Sequence, residues 1–155
     1  QNYFTKKFLD EGIVDASYSI YPIERAEGIK NILQQNPMLK GLNVTIPHKK
    51  NILPFLTNTA NLPLGLNACN CIKIDGERLI GYNTDVIGFE KSLLPLLQQH
   101  HTKALVLGNG GAADAVKYCL KMCACLCRIF CWVRDVDLRL RRDDLGRVGS
   151  IIACA

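Results

Sequence analysis

The stretch "KALVLGNGGAADAVKYCLK", residues 103 to 121, constrains the fold more than any other part of the chain. An apolar run from Ala104 to Leu107 delivers the backbone straight to Gly108, Gly110 and Gly111, and a helical pattern follows at once. Glycine lets a chain turn tightly and come close to a phosphate, whose charge is met by free N–H groups at the helix start. The pattern G-x-G-G-A-A has Ala113 at the last position of the dinucleotide fingerprint, where glycine and alanine both serve. A glycine-rich junction without a ligand has the same appearance, and this stretch alone leaves both readings open.

The preceding residues alternate between helical and strand periods. Tyr3, Phe4, Phe8 and Leu9 recur at helical spacing before Gly12. "ASYSIYP" alternates as a strand that Pro22 ends, and "ERAEGIKNILQQN" is helical with Ile29, Ile32 and Leu33 on one face. "LKGLNVTI" is a strand, and "PHKKNILPFL" a helical turn that opens at Pro47. "NACNCIKI" and "RLIGYNTD" form two strands around the turn signal Asp75-Gly76. "VIGFEKSLLPLLQQH" is helical, with a kink expected at Pro95. Such alternation predicts an α/β fold with a mostly parallel sheet.

After about residue 121 the pattern fails. Cys119, Cys123, Cys127 and Cys131 recur every four residues, as on one helix face, while "RIFCWV" reads equally as a strand. Eight cysteines are many, but no C-x-x-C occurs, so zinc-ribbon spacing is absent and no metal site is expected. With no secretory signal pattern, reduced thiols and a cytoplasmic location are expected. Six arginines between Arg128 and Arg147 are offset by Asp135, Asp137, Asp143 and Asp144, which argues against a nucleic-acid footprint. No apolar run approaches the length of a membrane span. The net charge of +5 favours an anionic ligand without naming one.

Three further stretches can carry chemistry. In "GLNVTIPHKK", Asn43 and Thr45 share one strand face, Val44 and Ile46 the other, and Lys49 follows the turn at Pro47. All three polar groups could line a cleft at a strand's carboxyl end, where ligands bind in open α/β sheets. A half-exposed strand with solvated lysines fits as well, and Lys50 reads as a surface charge. In "GYNTDVIGFE", Thr84-Asp85 suits a helix N-cap and also a strand-end site. Asn70 stands as a lone amide in the apolar run "NACNCIKI".

Taken in order, these stretches resemble the shikimate dehydrogenase family. That family has N-V-T-x-P-x-K, then an Asn in A-x-N-T, then N-T-D, then G-x-G-G-A. Here these are Asn43 to Lys49, Asn70 in "ACNC", Asn83-Thr84-Asp85, and Gly108 to Ala112, and the resemblance covers roughly residues 2 to 121. Cys71 stands where the family usually has Thr. The family's opening strand with S-x-S has no counterpart here, nor do its later motifs. Arg134 lies near the place of the arginine that meets the NADP 2′-phosphate, about two residues out of register. The change of character after Leu120 is what a shifted reading frame would produce; sequencing the coding DNA around Lys121 tests this hypothesis, and no family-like continuation in either other frame defeats it.

The resemblance implies a substrate domain over residues 1–99, lacking its first strand, and a partial Rossmann NADP-binding domain over 100–155. It implies NADP-dependent reduction of 3-dehydroshikimate to shikimate, a step toward chorismate and the aromatic amino acids. Lys49 and Asp85 would be the catalytic pair. Thr45 and Asn70 would hold substrate hydroxyls beside them, and Gly108, Asn109, Gly110, Gly111 and Ala112 would hold NADP. The expected partner is the small substrate, in a monomer or homodimer. An NAD-dependent quinate/shikimate dehydrogenase and a non-catalytic fragment of the family are the alternatives.

Overall fold

A computed structural model of the chain describes residues 2–98, 101–122, 128–132 and 150–154. Helix α1 (Asn2–Asp10) leads through Gly12, at φ +66°, to strand β1 (Tyr18–Pro22). Phe4 stacks on Tyr18 with ring centroids 4.3 Å apart, which ties α1 to the start of β1. A short 3-10 turn and helix α2 (Ile29–Gln35) follow, then β2 (Gly41–Val44) and the single-turn helix α3 (His48–Asn51). Strands β3 (Cys71–Asp75) and β4 (Arg78–Tyr82) form the expected hairpin, and Gly76 at φ +62° supplies the left-handed turn conformation. Helix α4 (Thr84–Leu93) stops before Pro95, which lies inside the 3-10 turn Leu94–Leu96 rather than kinking a longer helix.

Strand β5 (Lys103–Leu107) enters helix α5 (Gly111–Met122) as the glycine pattern predicts. Strands β6 (Arg128–Trp132) and β7 (Ser150–Cys154) complete the described elements. Of the two readings left open for the cysteine-rich stretch, the strand holds from Arg128. Of the four cysteines at that spacing, Cys119 lies in α5 and Cys131 in β6, and Cys123 and Cys127 lie outside the described residues.

The α/β class holds, but strand direction differs from expectation. Strands β5 and β6 pair in parallel in a two-stranded sheet. The five-stranded sheet, in the order β1-β7-β2-β3-β4, pairs antiparallel throughout. The reason is local. A two-residue turn can join β3 to β4 only antiparallel. Strands β1 and β2 do run in the same direction, as a helical crossover demands, but β7 lies between them and opposes both.

The main core lies between this sheet and α2. Ile29, Leu42, Val44, Ile52 and Ile72 are all nearly fully buried there. Burying a side chain of this size contributes about 1.5–3 kcal/mol. A second apolar cluster joins α4 to α5 through Val86, Ala115 and Cys119, with Leu66 beneath. The Cys119 thiol donates to the Val86 carbonyl at 3.1 Å. This second contact brings the start of α4 beside the start of α5, and the candidate site lies at that junction. Among the described residues no helix is long and apolar enough to cross a membrane.

Candidate functional site

Strand β2 buries Leu42 and Val44 and turns Asn43 and Thr45 outward, as the alternation predicts. The strand ends at Val44, however, so Ile46 leaves the buried face and is 71% exposed. Past Pro47, α3 carries His48 into the core and Lys49 back over the sheet edge. His48 is held by Nε2 at 3.0 Å from the Ile23 carbonyl, so its role is packing.

Lys49 and Asp85, 36 positions apart, meet. The Lys49 Nζ donates to Asp85 Oδ2 at 2.6 Å, with only 15% and 30% of the two side chains exposed. Asp85 sits in the first turn of α4, where the helix dipole favours a carboxylate. The cap of that helix is Asn83 rather than the Thr-Asp pair: its Oδ1 accepts from the Val86 N–H at 3.2 Å. The Asn83 Nδ2 donates to the Ala68 carbonyl at 2.9 Å, which ties α4 to the loop before β3. A buried amide with both ends satisfied fixes where α4 begins, and hence where Asp85 stands.

Asn70 completes the set. Its Nδ2 donates to Asp85 Oδ1 and to Thr84 Oγ1, each at 2.8 Å, and its Oδ1 accepts from the Thr84 N–H at 2.8 Å. The lone amide in the apolar run is therefore a cross-brace that orients the carboxylate. Asn43 is similarly engaged, donating to the Tyr18 hydroxyl at 2.8 Å. Asn43, Thr45, Lys49, Asn70 and Asp85 line one open cleft of about 450 Å³. Burial pushes the Cys69 and Cys71 thiols up from their ordinary range, so neither offers a ready thiolate beside it.

A second cleft, of about 370 Å³, opens on the other side of Lys49. Ile46, Pro47, Lys50 and the turn from Leu107 to Ala113 line it together with Lys49. Gly108 adopts φ +118°, a conformation that side chains rarely allow. A Cβ at Gly108 or Gly110 would meet nothing within 4 Å, so the backbone there stands open to a ligand. Gly111 differs: its Cβ would lie 2.6 Å from the Cβ of Lys49. The glycine there makes room for the lysine stem. Asn109 and Ala112 belong to the same turn, so all five residues expected to hold a cofactor are together.

Sequence reasoning missed Lys50. It is no free surface charge: its Nζ donates to the Asn109 carbonyl at 3.1 Å and pairs with Asp114 Oδ2 at 2.7 Å. Lys117 takes the other Asp114 oxygen at 2.6 Å. Burial works to raise the Asp114 carboxyl, but the hydrogen bonds and charges of Lys117 and Lys50 outweigh it and hold it below its usual range. Arg134, expected near a cofactor phosphate, lies outside the described residues.

The family described as the shikimate dehydrogenase substrate binding domain matches residues 2–72. The NADP-dependent shikimate dehydrogenase of Clostridium botulinum (strain Hall) is 43% identical over 94 residues, 60% of this chain and 36% of that protein. Over this stretch the chain is similar to shikimate dehydrogenases. The solved shikimate dehydrogenase of Thermotoga maritima aligns at TM-score 0.65 and 26% identity, over 85% of this chain and 49% of that one. The Thermus thermophilus shikimate 5-dehydrogenase, solved with NADP(H) and shikimate, aligns at TM-score 0.57 and 27% identity, over 70% and 41%. The chain thus spans little more than a third of the length of the curated relatives it matches.

Proposed function

We propose that this chain carries the shikimate site of an NADP-dependent shikimate dehydrogenase, with Lys49 as proton donor to the reacting oxygen. One observation carries the reading: Lys49 stands in the wall of both clefts, so one lysine side chain would meet both ligands. Residues 1–99 would serve the substrate and residues from 100 onward the cofactor, in a cytoplasmic enzyme on the route to chorismate. The relatives' names and the Thermus thermophilus complex support the pairing of NADP(H) with shikimate.

The cleft beside the glycine turn suits the pyrophosphate of a dinucleotide: open backbone at Gly108 and Gly110 and the start of α5. Bound there, NADP(H) would supply the hydride. Everything else falls to the chain's own groups. A ketone oxygen that gains negative charge needs a proton, and the Lys49 ammonium can give one. Asp85 holds that ammonium in place, and Asn70 holds Asp85. Thr45 offers the ring a hydroxyl that can donate and accept, and Asn70, whose N–H groups are engaged, offers it the remaining acceptor capacity of its Oδ1. The cross-brace keeps the donor oriented before substrate arrives.

An absorbance assay of NADP reduction by shikimate, run on the unmodified chain and on Lys49→Ala, tests this. Turnover lost in the variant supports the assignment, and turnover that survives removes Lys49 from the chemistry. A second reading, a shikimate-binding module without turnover, draws on the chain's short span relative to its relatives. Shikimate binding with no NADP reduction in the unmodified chain favours it. NAD in place of NADP in the same assay separates the quinate/shikimate alternative.

A further inference from the structure

Two lysines stand side by side in α3, and only the first has been given a task. The second reaches across 59 positions of sequence to the Asn109 carbonyl, in the middle of the glycine turn. It also meets Asp114, in the first turn of α5, whose own N–H donates to the Gly110 carbonyl at 3.2 Å. Asp114 is 15% exposed and has one lysine on each oxygen. Exposed single ion pairs count for little, but a covered carboxylate shared by two ammonium groups, one of which also holds a carbonyl, is a small network. Every one of these bonds lands on the segment that shapes the cofactor cleft. Gly111 of that segment is also in contact with the Lys49 stem.

We infer that Lys50 is a positioning residue: with Asp114 it clamps the glycine turn against α3, and so sets both the shape of the dinucleotide cleft and the place of Lys49 between the two ligands. The inference deepens the proposed function and rests on its reading of that cleft as the NADP(H) site. Lys50 itself touches neither reacting atom. It acts through the Asn109 carbonyl and through the approach of Gly111 to Lys49.

The test measures NADPH and shikimate dissociation constants for the full chain and for Lys50→Ala, Asp114→Asn, the double variant and Lys50→Arg. In parallel, hydrogen exchange of the Asp114 amide is followed without ligand. Removing a charged hydrogen-bond partner is expected to weaken NADPH binding about tenfold. Shikimate binding should change by less than about twofold, well below the decade that 1.4 kcal/mol represents. The double variant should lose no more than either single one, because the pair acts as a unit. Lys50→Arg should retain most of the affinity, and the Asp114 amide should exchange faster in Lys50→Ala. Unchanged exchange, or additive losses of NADPH affinity, would overturn the clamp. An unmodified chain that binds no NADPH overturns the cofactor assignment instead, while the ligand-free exchange arm still decides the clamp. Asp114→Asn, which leaves side-chain volume intact, covers the case of a Lys50 variant that folds poorly.

Discussion

One of the clefts that Lys49 lines is walled by polar side chains; the other includes the open backbone of the glycine turn. The first cleft is lined by Asn43, Thr45, Lys49, Asn70 and Asp85, and Asp85 accepts from both Lys49 and Asn70. The second is lined by glycines and small residues of one turn, with the lysines of α3 opposite. The difference matches two recognition problems. A ring with several hydroxyls is told apart by groups that donate and accept in fixed directions. A pyrophosphate is held by backbone N–H groups, which glycine lets come close to it. Of the two described residues that line both clefts, Ile46 and Lys49, only Lys49 carries a charge.

Lys49→Ala should break the link between the clefts, with turnover falling by about 10²–10⁴-fold, the range for loss of a positioned proton donor. Shikimate-dependent NADP reduction checks it. Gly111→Ala attacks the backbone side alone. Its new methyl would overlap the Lys49 stem, so the cost should be about 1–3 kcal/mol of overpacking together with weaker turnover. Denaturant melts and the same assay measure the two effects. Asn83→Ala attacks the side-chain cleft through its support. Loss of the α4 cap should destabilise by about 0.5–2 kcal/mol and loosen Asp85, visible as a lower midpoint in urea.

The smallest effect concerns pH. The folded-state pKa of Asp114 is lowered, so its contribution is present above the ordinary carboxylate value of 3.8 and is lost as pH falls through the folded value. Asp114→Asn should remove that part of the acid sensitivity. The difference should be at most about 1 kcal/mol near neutral pH and vanish in acid, as melting curves at several pH values would show. An Asn variant as acid-sensitive as the original chain would assign that loss to other carboxylates.

The elements of the site were largely legible from sequence because each announces itself locally. The alternation around Asn43, the Asp75-Gly76 turn and the strand-to-glycine junction at Gly108 all require only neighbouring residues to be read. What escaped was non-local. Lys50 looks like any solvated lysine until the partner 59 positions away is folded against it. Asn83 rather than Thr84 caps α4 because it can reach both the Val86 N–H and the Ala68 carbonyl, and the second of these comes from another segment. Ile46 fits the strand period, yet the chain has already turned away after Val44. Strand β7 carries no period that separates it from the residues before it, so its place between β1 and β2 had no local signal.

If Lys49 meets both ligands, amine-modification footprinting of this lysine shows it most directly. Shikimate alone and NADP alone should each slow acylation of this lysine, and the two together should slow it further. Protection by only one of them, or by neither, would contradict a shared lysine between two clefts.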